Sequence, residues 1–291
     1  MSQPLSDSPA AKRPGGRVPL YIGMGLVAVL VLGLIAWTQL RTDAPTAADL
    51  DAATAELAAD IQVEADDVED TTTTAADEAT DETEAAETSE DTTGEPEADE
   101  AAVTVDAVSG DWTVDTSIGE FSFENSTGTY VGFRIGEELA TVGKTEAVGR
   151  TPAVSGTITI DGQTVTATSI EADMTAITTD IRQRDGAARR ALDTNNFPTA
   201  TFVLTEPIDL GSDPASGEPV SATAVGDLTI HGVTNPVEVA IDAQLVGDTI
   251  AVVGSTDVVF ADYGVNAPSA RVVVSLDDFG IIEFQLFLTR S

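Results

Sequence analysis

The sequence predicts a mainly β module, antiparallel and carrying one inserted helix, set behind an N-terminal transmembrane helix and a disordered acidic linker. Three observations lead there. Residues 18–40 are dominated by an apolar run that carries no charge. From Thr42 to Phe133 there is no Lys or Arg, while 22 Asp and Glu fall between Asp43 and Glu100. From Asp111 onward, short runs of Val, Ile, Thr and Phe alternate with polar residues and are separated by turn residues, the period of strands with one dry and one wet face.

The N-terminal elements follow from charge and length. Residues 1–17 form a polar tail with Lys12, Arg13 and Arg17. The uncharged run from Val18 to Trp37 is about 20 residues, enough at ~1.5 Å per residue to cross ~30 Å of hydrocarbon. Tyr21 and Trp37 stand near its two ends, as interfacial aromatics do. Three basic residues precede the run and one, Arg41, follows it. This bias keeps the N-terminus in the cytoplasm and everything after Leu40 outside, in a single-pass protein of the cell membrane. A cleaved signal peptide is the competing reading, although the run is long for one and no small-x-small site follows Trp37 directly. Residues 41–105 read as an Ala/Thr-rich acidic linker too charged to bury a core; transient helix is expected only near Ala47–Ala59. Such a linker serves as a spacer, with an acidic binding tail as the alternative.

Residues 106–291 are long enough for one well-buried core. Trp112–Phe123 reads as a first strand and Thr129–Ile135 as a second. Val154–Ile160 leads through a type I′ turn at Asp161-Gly162 into Thr164–Met174. The stretch from Ala224 to Leu245 combines an apolar run, a turn made by His231-Gly232 and Asn235-Pro236, and a return run of strict alternation. Val237, Val239, Ile241, Ala243 and Leu245 share one face of that run. A hairpin is expected at Gly247-Asp248, and Ile281–Leu288 closes the chain, apolar on both faces. One helix interrupts the pattern: Asp180 and Gln183 have capping-box spacing, with Ile181, Ala188 and Leu192 as a thin apolar stripe. Its arginines, Arg182, Arg184, Arg189 and Arg190, form either a headgroup patch or a solvated face. Alternation alone leaves a sandwich and a closed barrel open.

Composition removes whole classes of chemistry. The module carries a net charge of about −18 by count of its side chains, which disfavours nucleic acid as a partner. There is no Cys and one His, so a disulfide framework, a thiolate metal site and a Cys nucleophile are excluded. No Gly-x-Ser-x-Gly, His-Glu-x-x-His or P-loop occurs, and neither catalysis nor a cofactor or metal is expected. His231 could act as a base, but at a strand end before Gly232 it reads as a turn residue bonded to backbone. Arg184 and Asp185 could polarise a bound carbonyl, or pair to close the helix onto the sheet. Phe121, Phe123, Phe133, Ile158, Ile160, Met174, Phe202, Val239, Ile241 and Phe284 are the interior candidates. Such residues would either line a ligand pore or fill a core.

Several segments in register resemble one known family. Trp112-Thr-Val-Asp115 followed by Phe123, the pair Arg184-Asp185, Asn196-Phe-Pro-Thr-Ala-Thr-Phe202 and Gly226-Asp-Leu-Thr-Ile-His-Gly-Val-Thr-Asn-Pro236 are similar to motifs of the YceI-like proteins. The sequence departs at Ile118-Gly119, where that family commonly has His-Ser, and in a longer, more polar second connection over Gly136–Arg150. The resemblance implies a lipocalin-like antiparallel β-barrel whose apolar pore holds a polyisoprenoid. The function expected is therefore an extracytoplasmic, membrane-anchored protein that holds or shuttles an isoprenoid or similar amphiphilic lipid. A surface-displayed protein-interaction module with a filled, ligand-free barrel is the alternative.

Overall fold

The structure is a computed structural model that describes residues 44–59, 107–140, 143–266 and 273–291. The expected tail and span, residues 1–40, and most of the acidic linker lie outside the described residues. Among the described residues no helix is long and apolar enough to cross a membrane.

Among the described residues thirteen strands form one antiparallel sheet that closes on itself. They are β1 (Gly110–Asp115), β2 (Tyr130–Leu139), β3 (Gly143–Thr151), β4 (Val154–Asp161), β5 (Thr164–Asp173), β6 (Thr178–Thr179), β7 (Thr199–Leu204), β8 (Ile208–Asp209), β9 (Val220–Ile230), β10 (Val233–Val246), β11 (Thr249–Val259), β12 (Val273–Leu276) and β13 (Phe279–Arg290). The ring runs β1-β4-β5-β7-β9-β10-β11-β13 and returns to β1. β1 and β2 share one strand position: β13 pairs with β1 from Phe287 to Arg290 and with β2 from Ile281 to Gln285. β3 and β4 share the next, pairing with β2 and β1 respectively. A barrel of about eight strands has an interior just wide enough for packed side chains or one small ligand. Helix α2 (Arg182–Ala191) lies between β6 and β7 in sequence and touches β6.

The turns decide several boundaries. His231 and Gly232 both have positive φ and join Ile230 to Val233 directly, the backbone of a type I′ hairpin. Asn235-Pro236, expected in the turn, instead lies inside β10 opposite Leu228 and Asp227. Proline is tolerated there because β10 pairs with β11 only from Ala240 onward, leaving that edge free. The β4–β5 turn is Gly162-Gln163, one residue later than expected, with Asp161 opposite Thr164. The hairpin at Gly247-Asp248 stands where expected. The first strand stops at Asp115, well before Phe123. The Asp115 carboxylate accepts from both the Ser117 N–H (2.8 Å) and its hydroxyl (2.6 Å), a local turn that competes with the ladder. The Gly136–Arg150 stretch is a strand pair, not an extended connection.

Helix α2 is not capped as expected. Its N-cap is Ile181, with no side-chain cap bond. The Asp180 carboxylate is taken by Arg184 at 2.6 Å, and the Asp185 carboxylate accepts from the Thr179 N–H and hydroxyl at 2.7 Å each. Arg184 and Asp185 therefore do not pair with each other; each ties the helix to a different neighbour.

The N-terminal part of the expected linker, where transient helix is expected near Ala47–Ala59, contributes to the fold. Residues 50–59 are a helix, α1, started by Asp49, whose carboxylate accepts from the Ala52 N–H. Leu50, Ala53 and Leu57 form a buried stripe on its inner face and pack against Ala251, Val253 and Phe287 on the outside of the barrel. The preceding residues cover a buried charge cluster. Glu283 accepts from Arg134 Nε at 2.7 Å and from Arg150 Nη2 at 2.9 Å, and its side chain is 2 % exposed. The Arg150 guanidinium lies 4.3 Å from the centroid of the Tyr130 ring.

Tyr130 reports on that cluster. Burial, then the Glu283 charge, pushes its phenol up from 10.0 to about 12, opposed by Arg150 and Arg134. Between those values the folded chain holds a proton that the unfolded chain has released. Stability therefore falls as pH rises through this window, by on the order of 3 kcal/mol in all. Urea midpoints at pH 9.5 and 11.5 should differ accordingly. Tyr130→Phe should remove most of the difference, and an unchanged difference would show that Tyr130 is not its source.

Candidate functional site

Strand alternation places the odd residues of β2 and the even residues of β13 inward, and the barrel they help to close is not filled. A cavity of about 540 Å³ runs between Val108, Leu210 and Leu245 at one end and Leu139, Leu192 and Leu276 at the other. That volume lies in the range of sites that bury most of a small-molecule ligand. Val131, Val239, Ile241, Ile250, Val252 and Leu286 form much of its wall. An apolar space of this kind offers water few partners, and its lining lacks the contacts that a packed interior would supply.

Glycines on neighbouring strands help to keep it open. Phe133 stands opposite Gly149, and Phe284 opposite Gly254. A Cβ at Gly149 or Gly254 would come within 2.5 Å of the facing ring, closer than any real contact. The absent side chains let both rings lie along the wall. Phe202 lies against Gly226 in the same way.

Polar groups cluster at the α2 end. Glu137 lines the cavity, and its carboxylate is 2.8 Å from Arg184 Nη2. Burial raises the Glu137 carboxyl above its ordinary value, Arg184 opposes that, and Asp180 adds to it. Gln183 and half-exposed Ile181 stand beside them on the wall. At the far end the polar lining is Glu218 and Gln244, with Gln244 Nε2 donating to the Gly217 carbonyl at 2.8 Å. The site thus has a long apolar middle and hydrogen-bonding groups at its ends, an arrangement suited to an amphiphile.

Of the ten interior candidates, Phe133, Ile158, Ile160, Met174, Phe202, Val239, Ile241 and Phe284 line this cavity. Phe121 and Phe123 do not. They lie in the irregular segment between β1 and β2, where the Thr127 and Gly128 N–H groups both donate to the Glu120 carbonyl. His231 is outside the lining: its Nδ1–H donates to the Tyr263 carbonyl at 3.0 Å, and its ring meets Phe197 edge-on at 5.0 Å. Sequence reasoning missed Glu137, which sits at an inward position of β2, a signal that strand register alone would have supplied. Among the described residues no cluster of three or more His, Cys, Asp or Glu could hold a metal.

The profile of the family described as YceI-like domain matches residues 112–286, more than half of the chain and nearly all of the barrel. The chain belongs to the YceI-like domain family. No curated protein matches it. Among solved structures it is similar to a polyisoprenoid binding domain from Saccharophagus degradans implicated in plant cell wall breakdown. That pair is 19 % identical with a TM-score of 0.46, over 62 % of this chain and 98 % of the other. It is also similar to BcnA of Burkholderia cenocepacia, at 19 % identity and a TM-score of 0.45 over 60 % and 98 %. The YceI protein of Campylobacter jejuni is 14 % identical, with a TM-score of 0.41 over 49 % and 84 %. In this YceI-like chain α2 and two 3₁₀ turns help the barrel enclose the cavity, with Met174 of the turn Met174–Ala176 and Phe260 of the turn Phe260–Tyr263 both on its wall.

Proposed function

We propose that this YceI-like protein holds a long-chain amphiphilic lipid of the isoprenoid type in its barrel, displayed outside the cell membrane on the N-terminal anchor of residues 18–40. The observation that carries the reading is the open apolar cavity, since a barrel filled by its own side chains would have none. The same ligand class is that of the polyisoprenoid binding domain from Saccharophagus degradans, to which this chain is similar. Removal of the chain's apolar surface from water would drive binding at roughly 25 cal/mol per Å² before the costs of association. The polar groups at Glu137, Gln183 and Arg184 would meet the head group. The anchor is supported by the uncharged run and by the three basic residues before it.

The test is native mass spectrometry of the full-length protein purified from its own membranes, followed by organic extraction. A stoichiometric apolar adduct of several hundred daltons is expected. A bare protein mass, together with no uptake of added isoprenoid alcohol, would overturn lipid carriage and favour an interaction module.

A further inference from the structure

The outer wall of the barrel carries a second built site that the cavity does not use. We propose that the wall around Arg134, Arg150 and Glu283 is a seat that holds residues 44–59 on the barrel independently of their covalent link through residues 60–106. The seat has a polar and an apolar half. In the polar half Arg134 Nη2 donates to the Pro45 carbonyl and Arg150 Nη2 to the Thr46 carbonyl, each at 2.5 Å, while the Ala48 N–H reaches Glu283 Oε2 at 3.4 Å. Both arginines and the glutamate are more than nine-tenths buried. Their remaining donors are therefore satisfied by backbone of this segment, and losing it would leave buried cationic N–H groups unpaired. In the apolar half Leu50, Ala53 and Leu57 cover Ala251, Val253 and Phe287. This is helix-in-groove recognition with anchors at i, i+3 and i+7, and its occupant is the chain itself.

The two ends of the acidic stretch are then fixed to one body. α1 is docked before it, and Val108 is buried after it, with the Ser109 carbonyl held by Arg290 at 2.9 Å. Residues 60–106, which link them in sequence, hold 19 Asp and Glu and no Lys or Arg.

A site-specific protease sequence inserted after Thr93 in the full-length chain tests the seat. After cutting under native conditions, the fragment beginning at Met1 should remain bound to the barrel fragment in a 1:1 complex through affinity capture and gel filtration. Leu57→Asp, which changes no barrel residue, should weaken retention at least tenfold while the barrel fragment keeps its β circular dichroism. Separation of the cut fragments that retain Leu57, with the barrel still folded, would overturn the proposal, and so would a 2:2 complex that exchanges N-terminal fragments between barrels. Lipid content is read separately on the barrel fragment, so failure of the seat and failure of lipid carriage are distinguishable.

Discussion

Replacing Ala224 by Trp should abolish ligand retention while leaving the barrel folded. Ala224 is buried in β9 and lines the cavity, so an indole built there projects into space a lipid chain would occupy. In a closely packed core the same change would force side chains off their rotamers and cost about 1–3 kcal/mol. Here the added atoms gain contacts that the open cavity does not provide, and stability should change by less than about 1 kcal/mol. Retention of an added isoprenoid alcohol should fall on the order of 100-fold, equivalent to about 2.7 kcal/mol of binding free energy. Ala243→Phe, on β10 and also on the cavity wall, should act in the same direction. The two quantities must be measured on one sample, ligand by extraction and stability by urea unfolding. Strong destabilisation with no ligand lost would mean that the barrel is a filled core.

The alternation that suggested this cavity was legible because a barrel wall is a local pattern. From Val237 to Leu245 the chain states its own inward face, and Val239, Ile241, Ala243 and Leu245 stand there. Phe121 and Phe123 continue the same period yet lie outside the cavity, because Asp115 turns the chain with its own side chain and ends the ladder. Alternation registers hydrophobicity and is blind to that competition. The α2 cap failed for a related reason. Asp180 had the right spacing, but an arginine one turn on claims its carboxylate and a threonine hydroxyl claims that of Asp185. Helix near Ala47–Ala59 was legible, but the docking of segment 44–59 was the least legible feature of all, since its composition is that of the acidic stretch after it and its partners are about 90–240 residues away in sequence. One sign was nonetheless present. Ile281–Leu288 is apolar on both faces but for Glu283 and Gln285, and a strand whose outward Phe287 is fully buried needs something to cover it.

Glu283→Ala should be strongly destabilising, costing about 3–5 kcal/mol. Glu283 is the shared partner of two buried guanidinium groups, and its loss leaves two like charges facing each other in a site that water does not reach. The Glu146 carboxylate, itself half-exposed, contacts Arg134 at 3.2 Å and cannot replace it, because an exposed partner is worth ~0–1 kcal/mol. Glu283→Gln keeps the shape and the acceptor oxygen but not the charge, so it should fall between the wild type and Glu283→Ala. Removing all three charges together, as Arg134→Met, Arg150→Leu and Glu283→Leu, should recover most of the loss, since the cost lies in unpaired burial rather than in the absence of an ion pair. That triple variant should nevertheless release residues 44–48, whose carbonyls would have lost both donors, and hydrogen exchange there should rise while the barrel strands stay protected. A cost below about 1 kcal/mol for Glu283→Ala would mean that the cluster is hydrated in solution, and the burial on which both the ion pairs and the seat depend would have to be abandoned.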